Sequence, residues 1–170
     1  RKTQTSIAKA KKDNKFYLLK FTKKNNELHY INTISCNSII SSVEYFKFKE
    51  YHVLVFELGF SDLYHYILEN QKIPIDISIL IIEDCFRALY CLHSEKIIHH
   101  DIKLENIVLF KDINGQIKSK FISFSGAKDV KDNEICNCHY CTDGYYGPEF
   151  HQGHSYSTDI YSLGITLKYL

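Results

Sequence analysis

The chain has 170 residues, 45% of them hydrophobic and 24% charged, and 21 lysines and arginines against 20 aspartates and glutamates leave a net charge of +1. These values exclude wholesale disorder and give no global case for a nucleic-acid or anionic-membrane partner. No apolar run reaches the ~18 residues of a membrane span, and the opening RKTQTSIAKAKK has no apolar signal core. The expected setting is therefore intracellular and cytoplasmic, with the six cysteines as reduced thiols. The start on Arg1 and the absence of methionine are what a piece of a longer protein would show. The basic stretch that includes Lys9, Lys11, Lys12 and Lys15 reads as a solvated face.

In chain order, FYLLKF (16–21) and YHVLVFEL (51–58) are short, aromatic and branched, and predict strands. Between them a short helix is expected from Asn26 to Ile34. The character changes after Gly59. In ISILIIEDCFRALYCLH the apolar residues Ile77, Ile81, Cys85, Ala88 and Leu92 recur at helical spacing, with Asp76 as the expected N-cap. Downstream, IVLFKDINGQIKSKFIS carries Asn114-Gly115 between two strand-like runs, which predicts a two-residue hairpin. Pairing symmetric about that turn sets Asn106 opposite Ser123, their Cα atoms roughly 5 Å apart. A last helix is expected over 159–170, with Leu163, Leu167 and Leu170 exposed for want of further helices to cover them.

The string His99-His100-Asp101-Ile102-Lys103-Leu104-Glu105-Asn106 resembles the catalytic loop of Ser/Thr protein kinases, H-R-D-x-K-x-x-N. Phosphoryl transfer explains the spacing: a carboxylate takes the proton of the attacking hydroxyl, an ammonium steadies the γ-phosphate, and an amide oxygen ligates Mg²⁺. CTDGYYGPEF is similar to the end of an activation segment, with Thr142 and Glu149 at its Thr and Glu, and STDIYSLGITL to the D-x-W-S-x-G helix, with Asp159 at its Asp and Tyr161 replacing Trp. Phe56-Glu57-Leu58 looks like a gatekeeper and hinge, Lys20 like the phosphate-pairing strand lysine and Glu27 like its helix partner. The resemblance implies an α+β, two-lobed protein-kinase-like fold, truncated at the Gly-rich loop and after the D-x-W-S-x-G-type helix. The implied lobes are 1–58 and 59–170. The implied site has Asp101 and Lys103 as catalytic residues. Lys20, Glu27, Glu57, Leu58, Asn106 and Ser123 would face the nucleotide, with Asn106 as the Mg²⁺ ligand.

The sequence departs from the family pattern at four places. Ser123-Phe124-Ser125 stands where the family has D-F-G, so the carboxylate that ligates Mg²⁺ is replaced by a weak, neutral hydroxyl. Thr5-Ser6-Ile7 aligns with the end of the Gly-rich loop, yet no glycine precedes Gly59. Leu18 replaces the small residue above the adenine ring, and His100 replaces the arginine that pairs with a phosphorylated activation loop. The reading is therefore a Ser/Thr-type kinase-like domain with impaired catalysis, a pseudokinase with weak or absent ATP and Mg²⁺ binding. It would act by engaging a protein partner, not nucleic acid or membrane. The alternative is an active Ser/Thr kinase that transfers the ATP γ-phosphate to a protein hydroxyl.

One rival local pattern is Cys136-x-Cys138-His139-x-Cys141, with His151 and His154 nearby. It reads either as a zinc site, for which the C-x-C spacing is tight, or as thiols carried by an activation segment.

Overall fold

The computed structural model describes residues 4–9, 15–23, 26–130, 142–148 and 155–170. The Cys136–Cys141 cluster, Glu149, His151 and His154 lie outside the described residues.

The architecture is mixed α+β. A four-stranded antiparallel sheet takes β1 (Gln4–Lys9), β2 (Phe16–Thr22), β3 (Ser42–Phe48) and β4 (Tyr51–Glu57) in the order β1-β2-β4-β3. In β4, Val53, Leu54, Val55 and Phe56 are consecutive, apolar and all buried, as expected of a central strand covered on both faces. The short helix α1 (Asn26–Thr33) follows β2 and turns Glu27, Tyr30 and Ile31 inward.

Beyond Gly59 the chain forms β5 (Ser61–Asp62), α2 (Leu63–Asn70) and the long α3 (Ile75–Ser94). Next come β6 (Ile97–Ile98), β7 (Ile107–Lys111), β8 (Ile117–Phe121), β9 (Lys128–Asp129) and α4 (Tyr156–Leu167). Strands β5, β7 and β8 form one small antiparallel sheet, and β6 pairs with β9. Helix α3 lies against β8 with Ile81, Cys85, Ala88 and Leu92 almost wholly buried, as the helical spacing predicts. Burial pushes the Cys85 thiol up to about 12, with the charge of Asp84 adding to it, so this cysteine packs and does not react.

Three local expectations change. The N-cap of α3 is Pro74, not Asp76, because the Pro74 carbonyl accepts the first helical bond, from Ser78 N at 2.9 Å. Asp76 stays in the first turn, where a carboxylate faces the positive end of the helix dipole. The hairpin register is one residue shorter than a two-residue turn gives: Ile107 pairs with Phe121, and Asn106 meets Ile122, whose N–H donates to the Asn106 carbonyl at 3.0 Å. The cause is Asp112, whose Oδ1 accepts from the amides of Asn114 and Gln116, closing a three-residue loop with Gly115 at φ +78°. Finally, Leu163 is buried and Leu167 and Leu170 are half-buried against the core, contrary to their expected exposure. Helix α4 packs on α3, and it starts early, at Tyr156, because Ser155 and Thr158 form a capping box.

A buried seam joins the two sheets. Phe121 donates its N–H to Ser38 O and accepts from Ile40 N, so the segment after α1 adds alongside β8. Asp84 of α3, itself buried, accepts from Ser38 Oγ at 3.2 Å and from the Ser119 amide at 2.9 Å. Gly59 lies where the chain leaves β4 for β5, drawn close to β7 by the 2.9 Å bond from Phe60 N to Leu109 O. A Cβ on Gly59 would collide with Val108 Cγ1 and stand 2.8 Å from Leu109 O. Gly59→Ala is accordingly expected to cost roughly 1–3 kcal/mol, read as a lowered urea midpoint with an unchanged slope. An unchanged midpoint would show that β7 yields.

Candidate active site

Between the four-stranded sheet and the β7–β8 hairpin lies a cavity of about 430 Å³. That size suits a small organic ligand. Its apolar walls include Leu18 and Phe56, which are direct neighbours across β2 and β4, together with Val108 and Ile122. Leu18 narrows the space without filling it. Of the residues expected to face a nucleotide, Lys20, Glu27, Glu57, Leu58, Asn106 and Ser123 all line this cavity. Sequence reasoning missed Asp62 and Glu105, which line it as well. Asp62 was legible as the N-cap of α2, where its carboxylate accepts from the His65 amide.

Lys20 Nζ lies 2.7 Å from Glu27 Oε1, with little of either side chain exposed, so the short link after β2 still lets α1 reach the sheet. The same oxygen accepts the Phe124 N–H at 3.0 Å. One carboxylate thus ties a strand lysine, a helix and the backbone next to Ser123.

Asp101 and Lys103 sit beside the cavity and are bonded to its wall. Asn106 Nδ2 donates to Asp101 Oδ2 at 2.8 Å and to the Asp101 carbonyl at 2.7 Å. Thr142 donates its hydroxyl to Asp101 Oδ1 at 2.6 Å and accepts from Lys103 Nζ at 2.8 Å. Lys103 Nζ is also 3.3 Å from Asp101 Oδ1. Three donors, from Asn106, Thr142 and Lys103, thus hold this carboxylate, a geometry suited to receiving a proton from a hydroxyl placed where Thr142 now sits.

The loop is fixed from beneath by Asp159, which is fully buried. It accepts from the amides of His99 (2.8 Å) and His100 (3.0 Å) and contacts His93 Nε2 at 3.1 Å. Burial pushes this carboxyl upward, but the His93 hydrogen bond, the nearby His99 and the two amides outweigh it and hold the group below the usual carboxylate range. His100 takes a left-handed φ of +66° there, and its ring contacts the Gly126 carbonyl at 3.1 Å. The His99 ring accepts the Asp101 N–H at Nδ1 and donates from Nε2 to the Ile122 carbonyl, which fixes its tautomer.

These parts can be set beside known proteins. The protein kinase domain family matches residues 2–170 of this chain. The chain belongs to the protein kinase family. A membrane-associated tyrosine- and threonine-specific cdc2-inhibitory kinase of Drosophila melanogaster is 37% identical over 115 residues, covering 65% of this chain and 20% of that protein. The serine/threonine protein kinase ypkA of Aspergillus fumigatus is 34% identical over 122 residues, 70% of this chain and 18% of its own length. The carbon catabolite-derepressing protein kinase of Candida tropicalis is 26% identical over 144 residues, covering 83% and 23%. The kinase-family chain thus spans less than a quarter of the length of these relatives. Its fold is that of a partial protein kinase domain. No helix among the described residues is long and apolar enough to cross a membrane.

The family implies Mg²⁺ with ATP, and the donor set does not fit the ion. Magnesium favours hard, charged oxygens in an octahedral arrangement. At the two positions where the resemblance sets the metal ligands, the cavity wall carries Asn106 and, in place of the family's aspartate, Ser123. The Asp101 carboxylate is taken up by Thr142, Lys103 and Asn106. No group of three or more His, Cys, Asp or Glu among the described residues is placed to hold a metal.

Proposed function

We propose that this kinase-family chain is catalytically impaired and works by binding a protein partner through its kinase-shaped surface. The observation that supports it is Ser123, which lines the cavity where the resemblance calls for the metal-ligating carboxylate. The division into a sheet-rich lobe over 1–58 and a helical lobe over 59–170 is part of the same proposal.

A second reading, an active Ser/Thr kinase, draws on the made Lys20–Glu27 pair and on the hydrogen-bonded set of Asp101, Lys103, Asn106 and Thr142. In that reading Asp101 receives the substrate proton, Lys103 steadies the transferred group, and Lys20 holds the other phosphates.

Phosphate transfer from labelled ATP to a general protein substrate separates the two. The wild-type chain is expected to incorporate no more label than Asp101→Asn. Ser123→Asp is expected to raise incorporation by roughly 10²-fold. The substitution suits the backbone, since Ser123 sits at φ 70°, ψ 64°, a region aspartate enters more readily than most residues. Wild-type transfer that Asp101→Asn abolishes would establish the active kinase instead.

A further inference from the structure

Three cysteines lie among the described residues, all as free thiols. Cys85 is buried in the core, whereas Cys36 and Cys91 are half-buried and open to small reagents. Cys36 follows α1, in the turn that leads into the seam, and its carbonyl accepts the Ile39 N–H at 3.1 Å. Cys91 belongs to α3, two helical turns beyond Asp84 and on the same face. Asp84 already holds Ser38, so the segment from Cys36 to Ser38 lies along this face of the helix. The contact at the other end of the segment agrees. Cys36 Sγ sits 3.9 Å from the Arg87 carbonyl, one turn before Cys91. A helical side chain leans back over the preceding turn, which brings the Cys91 thiol towards that carbonyl. There the two thiols are in side-chain hydrogen-bond contact.

We propose that Cys36 and Cys91 form a reversible disulfide that fastens the segment after α1 to helix α3. The oxidant is a small-molecule disulfide of the glutathione class. One cysteine thiolate attacks it, forming a mixed disulfide and releasing one small thiol. The other cysteine then attacks the protein sulfur of that mixed disulfide, the Cys36–Cys91 bond forms, and the second small thiol leaves. Two cysteines are oxidised, one small disulfide is reduced, and the two cysteine protons end on the released thiols. Burial, and after it the neighbouring Cys36, push the Cys91 thiol up to about 11, so Cys91 is a poor first attacker. Cys36 takes the first step and Cys91 resolves it. Once Cys36 is in the mixed disulfide its charge is gone, and one cause of that rise goes with it.

In a reducing setting the pair rests as the dithiol, and the bond is a transient state. Neither cysteine lines the cavity, so the exchange is the same whether or not the chain transfers phosphate. The effect is mechanical. The bond works in parallel with the Asp84–Ser38 contact and anchors the far end of α1, the helix that carries Glu27.

The test incubates the 170-residue chain with oxidised glutathione, blocks the remaining thiols, and maps linked peptides by mass spectrometry without reduction. The expected product joins Cys36 to Cys91, and dithiothreitol reverses it. Oxidation is expected to raise Tm by roughly 5–15 °C, since the bond closes a long loop of the unfolded chain. Cys36→Ser and Cys91→Ser should each lose both the link and the rise, each compared with its own reduced form. Glutathione trapped on either cysteine with no link, or links from these two only to cysteines elsewhere, would overturn the proposal. So would a Cys36–Cys91 link that leaves Tm unchanged, or a rise that persists in Cys91→Ser. Mapping of the wild-type chain decides the matter even where a serine variant does not fold.

Discussion

Asp159→Ala is expected to destabilise the domain by about 3–5 kcal/mol, a large share of the 5–15 kcal/mol of a typical domain. The carboxylate is fully buried, and its loss strands the amides of His99 and His100 with no acceptor. Each such buried N–H costs about 1–3 kcal/mol. His100 adds to the effect, because those amide bonds also hold its left-handed backbone. Urea unfolding would show a much lower midpoint, and a midpoint equal to wild type would refute the role given to Asp159. The pH dependence follows from the lowered folded-state value. Such a group contributes its full stabilisation above its unfolded value of about 3.9, and the contribution drains away as pH falls through the folded value. The gap between wild type and Asp159→Ala should therefore be constant near neutrality and close at strongly acid pH.

Glu27→Ala is the second large effect, expected at about 2–4 kcal/mol. It removes the partner of a mostly buried Lys20 and the acceptor of the Phe124 amide in one step. Glu27→Gln separates the two losses, since an amide oxygen still accepts from Phe124 while the charge pair is gone. Lys20→Met with Glu27→Leu should be less damaging than Glu27→Ala alone, because no unmatched charge is left in the interior. Equal losses for the double and the alanine variant would show that the amide of Phe124, not the ion pair, carries the stability. The measurement is a double-mutant cycle by chemical unfolding.

Much of this site was legible in the sequence, and the exceptions have physical causes. The eight residues from His99 to Asn106 announce their chemistry by type and spacing, and Asn114-Gly115 announces a hairpin that brings them to Ser123. The hairpin's register was not legible, because it is set by an aspartate side chain reaching two backbone amides across the loop. Asp84 left a faint signal, an acid in line with the buried face of α3, but nothing local says that its partners are Ser38 and Ser119. Asp159 was placed by resemblance, while the two amides it holds lie some sixty residues earlier and no pattern within α4 points to them. The burial of Leu163 depended on how α4 lies on α3, which helical spacing alone does not fix.

The seam at Ser38–Ile40 gives the molecule a mechanical boundary that differs from its linear one. These residues come before β3 and β4 in the chain, yet their backbone is bonded to Phe121 and their Ser38 hydroxyl to Asp84. They ride with the hairpin and α3, not with the sheet they lead into. A tilt of the four-stranded sheet over the cavity would therefore pivot where the chain enters β3 and where it leaves β4, with α1 tethered to the stationary side at its far end. Glu27, near the other end of that helix, bonds both Lys20 of the sheet and the Phe124 amide through one oxygen, so a single side chain spans the boundary that Ser38–Ile40 defines.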